Sequence, residues 1–156
     1  MRVNLPYFDA TNRGDSVKKI IVAAALLSAA VLVGAAEDSK VTFVDHERVA
    51  KGGTFVTAPN LSVTVAHRDG PGMVEVHDKE TDTFYVLAGS ATVVTGGKML
   101  GGSVTGPGQS RGTDIQGGET RHVERGDVMV IPAGVPHWFK EVPASVDYYV
   151  VKVIAP

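Results

Sequence analysis

The sequence contains no cysteine, which excludes disulfides and thiol chemistry. That absence leaves the compartment open, since a cysteine-free chain survives oxidising and reducing surroundings alike. Charge of either sign is nearly balanced. Fifteen lysines and arginines face seventeen aspartates and glutamates, for a net −2 at pH 7, too little to suggest a nucleic-acid partner. There is no phosphate-cradling loop: the glycines of residues 96–118 lack the Lys-Ser/Thr pair and the strand-helix context. There is no nucleophile elbow either. Beyond residue 36, no stretch shows helical periodicity over a useful length. The 156 residues suit one domain of ordinary size.

What is present begins with a leader. Lys18-Lys19 precede an apolar run over residues 20–33, interrupted only by Ser28. Gly34-Ala35-Ala36 follow, then Glu37-Asp38-Ser39-Lys40. A positive flank, an apolar segment and a small-residue exit form the pattern of a secretory signal peptide. The run is 14 residues long, short of the ~20 needed to span a bilayer. A buried helix or an uncleaved anchor is the alternative. Residues 1–36 are therefore predicted to be a leader cleaved after Ala35 or Ala36, with the start near Val17 as an alternative. The product is expected to be secreted or periplasmic, without stable membrane insertion, and residues 37–156 to form a single domain.

That domain reads as all-β. Residues 45–51 suit one short helical turn, capped by Asp45 and ended by Gly52-Gly53. Strands are predicted over 54–57, 61–66, 73–77, 83–87, 91–95, 119–124, 128–131 and 146–154, with a turn at 88–90. Many short strands at close spacing argue for a sandwich or barrel. Residues 96–118 hold nine glycines and one proline. They read either as a solvated excursion or as a flap that brings Arg111 or Asp114 to a ligand.

Residues 126–141, GDVMVIPAGVPHWFKE, organise the rest. A short apolar strand ends at Pro132, and Pro132, Gly134 and Pro136 make a stiff corner that emits His137. Upstream, Glu75 and His77 sit two apart, so on a strand they share a face.

These residues carry a resemblance. Gly126, five residues, Pro132, one residue, Gly134, two residues and His137 resemble the second motif of the cupin superfamily, with Glu141 where the family usually has Asn. The stretch 75–89, EVHDKETDTFYVLAG, resembles the first motif, His-x-His, three or four residues, Glu, six residues, Gly. Anchored on Gly89, Asp82 takes the Glu position, His77 the second His and Glu75 the first. The resemblance implies a double-stranded β-helix, a small jelly-roll barrel whose motifs face each other. It implies a metal set of His77, Asp82, His137 and Glu75, with Glu75 alternatively a catalytic general base. The ion would be a divalent transition metal: Fe, Mn, Ni, Cu or Zn. Two His with carboxylates suit Fe(II), and the extra oxygen donor favours harder ions such as Fe(II) or Mn(II).

His122 is an outside candidate for a ligand, while His46 and His67 read as structural or surface residues. Lys79 and Glu80 read as a solvated turn, and Trp138-Phe139 as core or interface aromatics. The partner implied is a small molecule. A homodimer through the edge of the apolar C-terminal strand is a further expectation. Three functions fit: a metal-dependent cupin enzyme, a non-catalytic cupin binding a small ligand such as a sugar, and a structural or storage cupin. A convergent ionisable cluster favours the first two.

Overall fold

The computed structural model describes residues 40–156; the expected leader lies outside them. Among the described residues no helix is long and apolar enough to cross a membrane. The first element among the described residues is a helical turn, α1 (His46–Ala50), and the Asp45 side chain accepts a hydrogen bond from Arg48 N at 2.8 Å to cap it. Strands β1 (Gly53–Ala58), β2 (Leu61–Arg68) and β3 (Val74–His77) follow, then the long β4 (Glu80–Thr95).

The glycine-rich stretch folds into four short strands: β5 (Lys98–Leu100), β6 (Ser103–Gly106), β7 (Gln109–Gly112) and β8 (Asp114–Gln116). The last four are β9 (Glu119–Glu124), β10 (Val128–Ile131), β11 (His137–Glu141) and β12 (Val146–Ile154). All pairings are antiparallel. Ten strands make one curled sheet, along the path β1-β2-β12-β4-β11-β3-β7-β6 with β9 and β10 also on β4, while β5 and β8 pair separately. This is the all-β jelly-roll barrel expected of the sequence.

The long β4 corrects one expectation. Residues 88–90 do not reverse the chain; they bend a single strand of 16 residues. Gly89 takes φ 72°, which glycine adopts without steric cost. Before the bend β4 pairs with β12 and β10, and after it with β9 and β11. The strand changes partners without turning back, and so ties the two halves of the barrel together. A second correction concerns β12. It lies between β2 and β4 and uses both edges, so the edge pairing expected of the C-terminal strand is not available. Its β-branched and aromatic run reflects a central position.

Inward parity defines the core. Val146, Tyr148 and Val150 of β12 are buried, as are Phe84 and Val86 of β4, with Ala91 and Val93 beyond the bend and Phe139 of β11. Phe84, Phe139 and Tyr148 pack together with centroids 4.9–5.7 Å apart, Phe139 stacked on Tyr148 and Phe84 tilted against both. A smaller cluster of Val74, Val94 and Ile115 packs against Met99 and Trp138. Each fully buried valine (Val74, Val86, Val93, Val146) contributes about 1.5–3 kcal/mol relative to exposure. Asp82 shares the inward parity of Phe84, and His137 that of Phe139. The same alternation that builds the core therefore delivers polar groups to the barrel interior.

Candidate metal centre

Four strand-borne side chains meet inside the barrel. Glu75 and His77 project from the same face of β3. Asp82 lies near the start of β4, and His137 is the first residue of β11. The corner before His137 is fastened by Val135 N to Pro132 O at 3.2 Å, and Gly134, at φ 79°, donates its N–H to the carbonyl of His77 at 2.8 Å. That last bond joins the two motif regions directly. Pairing of β11 with β3 then sets His137 opposite Glu75.

The donor atoms converge. His77 Nε2 lies 3.7 Å from Glu75 Oε2 and 3.6 Å from Asp82 Oδ2. His137 Nε2 lies 3.9 and 3.8 Å from the same two oxygens. The imidazole centroids are 5.0 Å apart. These spacings are too long for hydrogen bonds. Two arms of about 2.1 Å set their ends roughly 3.4 Å apart at the tetrahedral angle, close to these four His–carboxylate spacings; Glu75, His77 and His137 form one group of donor atoms within 4.8 Å of one another, and His77, Glu80 and Asp82 form a second.

Hydrogen bonding fixes both tautomers. His137 Nδ1 donates to the Val135 carbonyl at 3.1 Å, because a carbonyl can only accept. His77 Nδ1 meets Gln109 Oε1, and the Gln109 amide Nε2 donates to Glu80 Oε1 at 2.7 Å. The glutamine therefore turns its oxygen toward His77, whose Nδ1 carries the proton. Both Nε2 atoms are left with lone pairs aimed at the carboxylates. His77 Nε2 is buried with no hydrogen-bond partner, an arrangement that calls for a ligand atom. Burial holds the His137 pKa below its ordinary value, outweighing the Val135 carbonyl and the Asp82 and Glu75 carboxylates that pull it up. The neutral ring is the form that binds metal.

Each of the other three donors has a cross-strand partner. His77 stands opposite Gln109 and Glu75 opposite Arg111 on β7, and Asp82 stands opposite Lys152 on β12. Arg111 Nη2 reaches Glu75 Oε1 at 2.9 Å. Lys152 Nζ reaches Asp82 at 2.8 and 2.9 Å and Glu80 at 3.0 Å. A continuous chain thus runs His77–Gln109–Glu80–Lys152–Asp82. Sequence reasoning missed Gln109 and Lys152, whose only signal is register. It also read Glu80 as part of a solvated turn, which holds for Lys79 alone: Lys79 is exposed and bonds the Pro156 carbonyl at 3.2 Å. Glu80 lies 3.9 Å from His77 on the Nδ1 side, whereas Asp82 faces Nε2; Glu80 belongs to the second donor group with His77 and Asp82, and its bonds to Gln109 and Lys152 orient the donors on the Nε2 side.

Other candidates lie elsewhere. His122 is exposed on β9 opposite Thr92. His46 is exposed on α1, and His67 is exposed with Nδ1 2.7 Å from Asp147 Oδ1. Asp114 accepts from Ile115 N at 2.8 Å, a contact to its own neighbour on β8. Trp138 donates to the Gly72 carbonyl at 2.7 Å, away from the cluster. A cavity of about 220 Å³ adjoins the cluster; Glu75, Asp82 and His137 line it together with Phe84, Phe139, Tyr148 and Val150.

Solved structures share this architecture. The cupin domain of Cnp3 from Schizosaccharomyces pombe matches at TM-score 0.50 and 13% identity, over 67% of this chain and 64% of that one, just under two thirds of its length. A Bacillus halodurans protein matches at TM-score 0.55 and 16% identity, over 77% of this chain and 86% of that one. A Thermus thermophilus protein matches at TM-score 0.51 and 17% identity, over 74% of this chain and 100% of that one. At such identities the likeness is one of fold. No curated protein matches significantly. The cupin family model matches residues 37–153, most of the sequence, and the chain belongs to that family.

Proposed function

We propose that this chain is an exported cupin that holds one divalent transition metal ion between Glu75, His77, Asp82 and His137, and binds or transforms a small molecule in the adjoining cavity. The observation that carries the reading is the buried, partnerless Nε2 of His77, facing carboxylate oxygens of Glu75 and Asp82 with His137 Nε2 beside them. Two neutral imidazoles and two carboxylates suit Fe(II) or Mn(II) best among Fe, Mn, Ni, Cu and Zn. Such an ion supplies Lewis acidity or a redox centre. The chain's own part is to hold donors and exclude water. Arg111 fixes one oxygen of Glu75, leaving Oε2 to face the cluster. That oxygen serves either as ligand or as general base, not both at once. The second reading, a non-catalytic cupin that binds a small ligand without metal, draws on the aromatic-walled cavity. Export draws on the leader of residues 1–36.

Thermal unfolding tests the metal reading. At an ion concentration near 100 times Kd, binding stabilises the native state by about 2.7 kcal/mol, a rise in Tm of roughly 10 °C for a domain of this size. Mn(II), or Fe(II) without air, is expected to produce that rise in the wild type and not in His77→Ala, and a chelator is expected to reverse it. A wild type indifferent to every divalent ion tried would count against the proposal.

Gln109 offers a separate prediction. Gln109→Leu removes the acceptor that orients His77 while leaving all four donors. Metal affinity, measured by competition with a chelating dye, is expected to fall about 10- to 100-fold with stoichiometry unchanged.

A further inference from the structure

Arg68 lines the same cavity from a position remote in register from Asp82: it stands opposite Val146 of β12, whereas Asp82 stands opposite Lys152, six residues further along that strand. It lies on the inward face of β2 with Thr64 and Ala66. Its guanidinium is held from several sides. Nε donates to the Tyr148 hydroxyl at 2.9 Å, Cζ lies 4.9 Å from the centroid of Phe139, and a Cβ built on Gly72 would come within 2.8 Å of Nη1. Yet among the described residues it has no ion-pair partner, whereas Arg111 and Lys152 are both paired with carboxylates. Its partners are a neutral phenol, a ring face and a glycine, so a fixed cation in a cavity is left without a counter-charge.

The charges around the cavity point the same way. Glu75, Glu80 and Asp82 are matched in number by Arg68, Arg111 and Lys152. A divalent ion bound between the donors would leave a surplus of two positive charges, and uncompensated charge in a partly buried site is unfavourable. An anion would remove that surplus. The planar fork of arginine suits a carboxylate. Besides the charged groups and His137, the lining is mostly apolar: Ala66, Phe84, Phe139 and Val150, with Thr64 and Tyr148. Phe139, under the guanidinium, follows His137 by two residues, a rise of about 7 Å along a strand. The volume, about 220 Å³, is below the roughly 300–1,000 Å³ of drug-sized pockets.

We propose that the cavity takes a short-chain carboxylate whose acid group pairs with Arg68 and whose second oxygen, about 7 Å away, faces Glu75, Asp82 and His137. This rests on the metal reading above and assigns its ligand class. Arg68 is the specificity-determining residue.

Calorimetric titration of the metal-loaded protein with glutarate, its monoamide and its diamide tests the assignment, with elemental mass spectrometry on the same samples. Glutarate and the monoamide are expected to bind and the neutral diamide not. Arg68→Gln is expected to weaken glutarate binding about 10- to 100-fold with metal content unchanged, and Arg68→Lys to retain part of the affinity. Should Arg68→Gln fail to fold, Tyr148→Phe removes the hydroxyl that aims the fork and is expected to weaken glutarate about threefold to tenfold. Equal binding of diamide and acid, no binding of any probe, or unchanged affinity in the folded variants would overturn the proposal. Bound metal without glutarate binding would sink this inference alone. Protein that takes up no divalent ion yet binds glutarate through Arg68 would sink the metal reading alone.

Discussion

Gly89→Ala is expected to destabilise the protein by about 3 kcal/mol or more, against about 1–2 kcal/mol for Gly134→Ala. Both glycines have positive φ, 72° and 79°, so both substitutions incur the left-handed penalty of an L-residue. They differ in what a methyl group would meet. At Gly134 nothing lies within 4 Å of an added Cβ, whereas at Gly89 the Ser145 carbonyl oxygen lies 1.9 Å away, with Val146 Cα at 3.1 Å. Those contacts are backbone, so relief requires the start of β12 to move away from the bend in β4. The bend joins the pairing with β12 to the pairing with β9 and β11, and a shift there disturbs both halves of the barrel. Domains of this size have only about 5–15 kcal/mol of stability in total. Chemical denaturation of the two variants beside wild type measures the difference; equal losses would show that the close approach at Gly89 does not constrain the fold.

Lys152→Met is expected to cost about 2–4 kcal/mol in metal-free protein, and less when a divalent ion is present. The ammonium bridges Glu80 and Asp82 at 2.8–3.0 Å, and Asp82 is only 9% exposed. Methionine keeps the bulk and removes the charge, leaving two carboxylates side by side in a partly buried site. An ion held by Asp82 would supply the missing positive charge, so metal affinity is expected to rise while metal-free stability falls. Denaturation with chelator and with Mn(II) separates the two effects. The same loss under both conditions would mean that Lys152 acts in packing alone and that Asp82 does not face the ion.

The stiff corner ending at His137 and the paired Glu75 and His77 were legible because their signals are local: proline and glycine at a bend, and alternation along a strand. Fold class followed from strand spacing and from the motif resemblance. What sequence could not supply was register. Gln109, Arg111 and Lys152 become partners of His77, Glu75 and Asp82 only once β7 lies beside β3 and β12 beside β4. Arg111 was visible only as one outcome for a glycine-rich stretch. That stretch, QSRG at β7, has no apolar alternation and a strand-breaking glycine; its strand character comes from pairing with β3. The bend at Gly89 looked like a reversal because glycine marks both, and only the partners of β4 tell them apart. Glu80 looked solvated because its neighbours Lys79 and Asp78 are exposed, while its own side chain turns toward Gln109 and Lys152.

Metal content by elemental mass spectrometry, on wild type, His77→Ala and His137→Ala purified without chelators, tests the metal centre most directly. About one equivalent of a transition metal is expected in the wild type and little in either variant. A wild type that remains free of metal even after refolding with added ions would contradict the account and leave the barrel as a ligand-binding cavity without an ion.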